Sequence, residues 1–171
     1  MNHKTRGFTL TELIVYIAIF VILITTVTLF AMAFIKTTTK SRIKKEVASG
    51  TYSAMKTMVY EIKRANSVYT PTSVFDSYPG QLSLETSQEL PEGEQTTYLD
   101  FYLDSDRLYL KREGQNPQLL ISKNLKVTNL EFEYLASVPE SIRIDLTMEY
   151  DTTASEYQYS YSLSSAGSIR K

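Results

Sequence analysis

Residues 6–36 of the 171-residue chain read RGFTLTELIVYIAIFVILITTVTLFAMAFIK. From Leu13 to Ile35 no residue is charged, and none is His, Asn, Gln, Pro or Gly. A helix of this length, rising about 1.5 Å per residue, extends ~35 Å, and the hydrocarbon core of a bilayer is about 30 Å thick. The run is longer than the apolar part of a secretory signal peptide, which has about 7–15 residues. The sequence therefore predicts a membrane-spanning helix that stays attached to the chain.

Basic residues flank this apolar run on both sides. Lys4 and Arg6 precede it, and the segment from Lys36 to Lys45 contains five more lysines and arginines. Because this second group belongs to a continuing helix rather than to a short loop, charge does not decide the orientation. The group could bind anionic lipid or DNA, but lysines that extend from a helix end to the membrane surface are the simpler interpretation.

The composition excludes several kinds of site. The chain contains no cysteine, which rules out disulfides, thiolate metal ligands and a cysteine nucleophile. Its one histidine is His3, near the N-terminus. Ser53 and Lys56 have the Ser-x-x-Lys spacing of penicillin-binding proteins, but no partner motif follows them. We expect no catalytic residue, no cofactor and no enzymatic activity.

A carboxylate, Glu12, stands at the start of the apolar run. Placing a charged side chain in a membrane helix costs a few kcal/mol of insertion free energy. A carboxylate kept at this position therefore indicates a function or a partner. The stretch Arg6-Gly7-Phe8-Thr9-Leu10-Thr11-Glu12 and the apolar run after it resemble the class III signal of type IV pilins and type II secretion pseudopilins. Thr11 and Tyr16 depart from the residues most common in that family, as does a run without Pro or Gly.

The resemblance implies a processing site and an assembly residue. In that family a prepilin peptidase cuts after the glycine and methylates the new N-terminal phenylalanine. Carried over, cleavage falls between Gly7 and Phe8, N-methylation falls on Phe8, and Glu12 acts in assembly. The implied partners are the peptidase, other pilin or pseudopilin subunits and a membrane crossed once. An amine and a carboxylate are each costly to bury alone, and much less so as a pair.

The helical pattern continues beyond the apolar run and becomes amphipathic. Apolar residues recur at three- or four-residue steps or their multiples, at Ile43, Val47, Ala48, Met55, Met58, Val59 and Ile62. We predict one helix from about Phe8 to Asn66. The predicted domains are a leader at 1–7, a transmembrane and assembly helix at 8–35, its amphipathic continuation at 36–66 and a β-rich head at 67–171.

The head has the pattern of short strands. Residues 67–93 are loop-like with a short strand at 81–84, and apolar and polar residues then alternate. The alternating segments are 98–103, 108–110, 127–134, 142–150 and 157–163. Strands with one apolar face predict an antiparallel sheet. The fold class is α+β and pilin-like, with the long helix packed on the sheet. The later strands resemble those of J-type minor pseudopilins and their pilus counterparts.

Two groups of head residues are candidate sites. Asp100, Asp104 and Asp106 are weak candidates for a calcium site, but Asp-Ser-Asp is also ordinary turn chemistry, and we expect no metal. Tyr157, Tyr159 and Tyr161 alternate with polar residues. They either pack in the core or form a surface for a partner.

The leading functional hypothesis is a minor pilin or pseudopilin that co-assembles through its N-terminal helix, at initiation or at the tip of a pilus or pseudopilus. It would sit in the cytoplasmic membrane with its head outside, and then in the filament. The alternatives are a major pilin, a tip adhesin or DNA-uptake module, and an enzyme with a signal anchor. We expect no nucleic-acid partner, because beyond Lys45 acidic residues outnumber basic ones by seven.

Overall fold

The computed structural model describes Gly7, residues 9–88, Leu90 and residues 93–169. The chain forms two compact units, one up to Arg42 and one from Ile43 onward, and each is described by itself. The helix α1 runs from Leu10 to Arg64. Phe8, the predicted start of this helix, lies outside the described residues.

The strands form two antiparallel sheets, which confirms the α+β prediction. The five-stranded sheet has the order β1-β2-β3-β4-β5, and the three-stranded sheet has the order β6-β7-β8. Their bounds are β1 Ser67–Val68, β2 Leu82–Thr86, β3 Thr97–Asp104, β4 Arg107–Arg112, β5 Gln118–Leu119, β6 Leu125–Leu135, β7 Ser141–Tyr150 and β8 Ser160–Ser168.

The sequence pattern predicted one sheet, and the described strands divide into two because β6 meets the first sheet only near a turn. The Val127 N–H donates to the Asp106 carbonyl over 2.8 Å, and the Arg107 guanidinium donates to the Leu125 carbonyl. These bonds connect the sheets at the tip of the β3–β4 hairpin. A strand pattern carries no information on such a division, since both sheets need the same alternation.

The helix ends two residues before the predicted Asn66. The Asn66 N–H donates to the Glu85 carbonyl over 2.8 Å, so the chain is already pairing with β2 at this point. Residues 67–68, predicted as loop, accordingly form β1, which pairs with β2 through Ser67 and Glu85.

One stripe of α1 is buried in the core of the second unit. Of the predicted stripe, Ile43, Val47, Met55, Met58 and Ile62 are buried, whereas Ala48 and Val59 are only half-buried. The stripe also contains three residues that the apolar pattern omits, namely Thr51, Ala54 and Glu61. The Thr51 hydroxyl donates to the Val47 carbonyl over 2.8 Å, which satisfies its buried donor.

The strand faces follow the predicted alternation closely in β7 and less so elsewhere. Ile142, Ile144, Leu146 and Met148 are all 1% exposed or less. In β3 the buried face is that of Thr97, Leu99 and Phe101, so Tyr98, the first residue of the predicted segment, lies on the opposite face. The last strand starts at Ser160, later than predicted, because the Tyr157 N–H donates to the Ala154 carbonyl and closes a 3-10 turn at Ser155–Tyr157.

Gly50 lets α1 approach β6 closely. A Cβ built at Gly50 would lie 2.4 Å from the Leu125 Cδ1 atom, and Leu125 is fully buried. Glycine costs a helix interior about 1 kcal/mol relative to alanine. The close approach explains why the helix contains it here.

A buried ion pair joins α1 to the five-stranded sheet. Arg112 Nη2 on β4 donates to Glu61 Oε1 over 2.8 Å, and the two side chains are 16% and 9% exposed. Neither residue was singled out in the sequence, since they are 51 positions apart. Removing Glu61 takes a charge-assisted hydrogen bond from a guanidinium that is largely withdrawn from water.

We therefore expect Glu61→Ala to destabilise the unit from Ile43 onward by about 1.5–3 kcal/mol, through the loss of a hydrogen bond between charged groups. The matched control is Glu133→Ala, which removes a carboxylate from the 3.1 Å pair with Arg143, where the side chains are 42% and 52% exposed. An exposed pair contributes about 0–1 kcal/mol. Denaturant unfolding of the full chain in detergent micelles, followed by near-UV circular dichroism, measures both. Equal destabilisation by the two substitutions would contradict the assignment.

Candidate functional site

The N-terminus of α1 is capped by Thr9. The Thr9 Oγ1 atom accepts from the Glu12 N–H over 3.3 Å, and the Thr9 carbonyl accepts from the Leu13 N–H over 3.2 Å. Thr9-Leu10-Thr11-Glu12 has the Ser/Thr-x-x-Glu spacing of a capping box. The first helical turn therefore has a defined start, three residues before Glu12.

Gly7 lies outside the helix and is exposed. A Cβ built on it would meet no atom within 4 Å. The backbone here is accessible and is not engaged in helical hydrogen bonds, which is the state a protease needs. Phe8, the other half of the predicted cleavage site and the predicted methylation site, lies outside the described residues.

Glu12 is exposed in the first turn of α1. A helix N-terminus carries a partial positive charge, so a carboxylate in the first turn is favoured there by about 0.3–1 kcal/mol. This position lowers the cost of holding the carboxylate beside an apolar run. Within the unit up to Arg42, Glu12 is available for a contact with another molecule.

The apolar run is exposed along its whole length in this unit, and its most apolar 18-residue window is 0% buried. By length and composition α1 could cross a membrane, and it is the one described helix of that kind. Phe30 and Phe34 stack at 6.5 Å between ring centroids on its surface. A surface of this kind requires lipid or other apolar helices around it.

Threonine hydroxyls in and after the run are satisfied within the helix. The Thr25, Thr26 and Thr28 hydroxyls donate to the carbonyls of residues four positions earlier, over 2.8–2.9 Å. Three further threonines, at 37–39, make the same bond over 2.9–3.0 Å. These bonds lower the cost of placing hydroxyls in an apolar environment.

The structure thus places Gly7 and Glu12 on either side of one helix start. Thr9, which fixes that start, was not identified in the sequence analysis. The Ser/Thr-x-x-Glu spacing before an apolar run was a signal that could have found it.

The three aspartates proposed as weak calcium candidates are not brought together. Asp100 and Asp104 are four residues apart on β3, which separates them by ~13 Å at about 3.4 Å per residue. Ser105 and Asp106 form the hairpin turn with φ values of 50° and 60°, and the Ser105 hydroxyl donates to Asp104. No group of three or more His, Asp or Glu side chains that could hold a metal ion occurs among the described residues.

Two tyrosines lie near Asp100 and Asp104, on the face of β3 and β4 that is turned away from the buried residues Leu99 and Phe101. Tyr102 and Tyr109 are directly opposite and stack at 5.8 Å. The pKa of the Tyr102 hydroxyl is raised, chiefly by burial and further by the negative charge of Asp104. Cross-strand aromatic pairs of this kind stabilise a hairpin.

The tyrosines at 157, 159 and 161 are half-buried and pack against the hydrophobic core. The Lys44 ammonium lies 5.6 Å from the centre of the Tyr159 ring. This environment favours the core interpretation over an exposed aromatic strip.

The remaining motif residues lie on exposed surface. Ser53 and Lys56 are both exposed on α1, and no hydrogen bond joins their side chains in the described part of the chain. Lys36, Lys40 and Arg42 are exposed as well.

Residues 2–28 match the family model of the prokaryotic N-terminal methylation motif. The match supports the resemblance of this segment to pilins and pseudopilins, and it covers 27 of the 171 residues. Neither the comparison with curated proteins nor that with solved structures gives a match for the chain.

The cap at Thr9 predicts a local effect that can be measured directly. We expect Thr9→Val to destabilise the first turn by about 1 kcal/mol, which makes amide exchange at Glu12 about fivefold faster. Hydrogen exchange on the full chain in detergent micelles reports this. Thr11→Val is the matched control, since it removes the hydroxyl that lies 3.2 Å from the Thr9 hydroxyl but leaves the bond from the Glu12 N–H to Thr9 in place. Unchanged exchange at Glu12 in Thr9→Val would refute the capping role.

Proposed function

We propose that the chain is a minor pilin or pseudopilin. A prepilin peptidase cleaves it between Gly7 and Phe8 and methylates Phe8, and the mature chain co-assembles through its N-terminal helix into a type IV pilus or a secretion or competence pseudopilus. The role is structural rather than catalytic, and initiation or the filament tip is its proposed place.

The observation that carries this proposal is the arrangement around the start of α1. An exposed Gly7 outside the helix precedes a capped turn that holds Glu12, and a bilayer-length run without charge follows. The match of residues 2–28 to the methylation motif supports the same interpretation independently of the side-chain geometry.

The assembly step follows from charge. After cleavage the new α-amino group is a cation next to an apolar helix, and Glu12 of a neighbouring subunit is an anion in the same environment. Pairing them removes two costly isolated charges from a region of low dielectric. The pair also fixes the axial position of the incoming helix, because only one register brings the two groups together.

The minor rather than the major role is supported by two sequence features. The apolar run has no Pro or Gly to kink the helix, and the later strands resemble those of J-type subunits.

In the proposed topology the chain crosses the cytoplasmic membrane once and places the head, residues 67–171, on the outer side before it enters the filament.

Processing gives the first test. Gly7→Val should leave unprocessed precursor in the membrane, because a branched side chain at this position obstructs the close approach of the backbone to a protease. Intact-mass spectrometry of protein from cells measures the N-terminus, which we expect to be N-methyl-phenylalanine for the unsubstituted chain. An intact Met1 end, or a cut beyond the apolar run, would show the proposal to be wrong.

Assembly gives the second test. Glu12→Val should give cleaved, inserted and folded protein that does not enter filaments. Without the carboxylate, the amine of the neighbouring subunit is buried without a counter-charge, which costs about 3–5 kcal/mol of assembly free energy. Insertion alone should improve, because a charge is removed from the membrane edge. Immunodetection of the subunit in sheared filament fractions measures assembly, and Thr11→Val is the control expected to assemble normally.

Two results of this second test would argue against the proposed pairing. Normal assembly of Glu12→Val would show that docking does not depend on the carboxylate. Accumulation of uncleaved Glu12→Val precursor would show that the peptidase, rather than a neighbouring subunit, reads Glu12.

A further inference from the structure

Among the described strands, four form the outer edges of the two sheets, and three of these are short or covered. β1 and β5 have two residues each. The edge of β6 is covered by residues 76–80, because the Asp76 and Gly80 N–H groups donate to the Phe132 and Leu130 carbonyls over 2.9 and 2.8 Å. β6 also contains an irregular register between Val127 and Asn129. Short, covered or irregular edges resist pairing with other chains.

Within the described residues, β8 has none of these protections. It has nine residues, Ser160–Ser168, and pairs with β7 in an unbroken register. It contains no charged residue and no proline, which are the residues that usually keep an edge from pairing. In the part of the chain that the structure describes, no backbone hydrogen bond joins β8 to any element other than β7.

The direction of the free backbone groups follows from the bonds just beyond the strand ends. The Ile169 N–H donates to the Glu140 carbonyl, and the Tyr159 carbonyl accepts from the Tyr150 N–H. Hydrogen-bonded and non-hydrogen-bonded pairs alternate in an antiparallel ladder. Odd-numbered residues of β8 therefore bond to β7, and the N–H and C=O groups of Ser162, Ser164 and Ala166 point away from it.

The inner face of β8 is also incompletely covered. Tyr161 and Leu163 are only half-buried, whereas the inward residues opposite them on β7, Met148 and Leu146, are at most 1% exposed. The core is therefore closed under β7 and under Gly167 of β8, and it is open near Tyr161 and Leu163.

A groove of about 400 Å³ lies between this edge and α1. Its walls include Tyr52, Lys56, Tyr60 and Lys63 from the helix and Leu163 and Ser164 from the strand. Tyr52 and Tyr60 are 64% and 51% exposed. Among the described residues that line the groove there are two lysines and no carboxylate, although the chain beyond Lys45 is acidic overall.

We propose that the edge of β8 binds an extended acidic segment of another protein chain, which adds a strand to the three-stranded sheet. The outward N–H and C=O groups of Ser162, Ser164 and Ala166 supply the main-chain hydrogen bonds. The half-buried Tyr161 and Leu163 pack against side chains of the added strand. Lys56 and Lys63 pair with its carboxylates and so select the partner.

A second copy of this chain is a poorer occupant of the groove. Pairing of β8 with β8 would place an uncharged strand in a groove lined by lysines, and it would bring the lysine pairs of the two copies toward one another. Neither contact supplies a negative charge to pair with Lys56 and Lys63. The proposal concerns the unit from Ile43 onward and holds whether or not the N-terminus is processed as proposed above.

The test uses the full chain in micelles of a non-ionic detergent and two synthetic peptides of about nine residues. One peptide alternates Thr and Glu, and the other alternates Thr and Lys. We expect the Thr/Glu peptide to bind at least about tenfold more tightly by fluorescence anisotropy. It should also slow hydrogen exchange at the amides of Ser162, Ser164 and Ala166.

Two sets of variants separate the backbone from the charges. Ala166→Pro removes an outward N–H without removing a bond to β7. It should weaken binding of the Thr/Glu peptide by about tenfold or more. The control Ala166→Ser keeps the N–H and should leave binding unchanged. Lys56→Glu combined with Lys63→Glu should reverse the peptide preference. Lys45→Glu, an exposed lysine on α1 outside the groove, should leave the preference unchanged.

Several outcomes would overturn the proposal. They are failure of the Thr/Glu peptide to bind, equal binding of the two peptides, or unchanged binding in the doubly charge-reversed variant. Protection of the three amides that rises with protein concentration alone would identify a second copy as the occupant. Protection by vesicles of anionic phospholipid, without peptide, would identify a membrane surface instead.

Discussion

The head depends on the burial of one stripe of α1 against two sheets. Val47, Met58 and Ile62 are fully buried in the same core as Phe101 of the five-stranded sheet and Phe132 of the three-stranded sheet. Each such side chain stabilises the fold by about 1.5–3 kcal/mol when it leaves water. Backbone hydrogen bonds join the two described sheets near the β3–β4 turn, and the buried stripe of α1 belongs to the core that both sheets share.

The elements that could be predicted from the sequence are those set by local periodicity. The uncharged run Leu13–Ile35, the spacing of Ile43 to Ile62 and the alternation of β7 each follow from a repeat within one segment. The pair of Glu61 and Arg112 could not be predicted, because a charge pair across 51 positions leaves no local pattern. The division into two sheets was missed for the same reason.

The residues of the candidate site could not be predicted from local periodicity. Gly7, Phe8 and Glu12 were identified through a resemblance rather than from geometry, and Phe8 lies outside the described residues. The structure adds Thr9, whose cap fixes where the helix begins. That start decides which residues are available to a protease and which belong to the assembly helix, so a short polar side chain separates the two functions proposed for this segment.

The threonines of the apolar run have a mechanical consequence. Because the Thr25, Thr26 and Thr28 hydroxyl protons are donated to their own helix, they are not free to bond a neighbouring helix. Contacts along this stretch with another helix then come from side-chain packing, whose attraction is small for each pair of atoms and has no preferred direction. This stretch therefore does not fix the register between two such helices, and a directional contact has to come from polar groups at its ends, of which Glu12 is one.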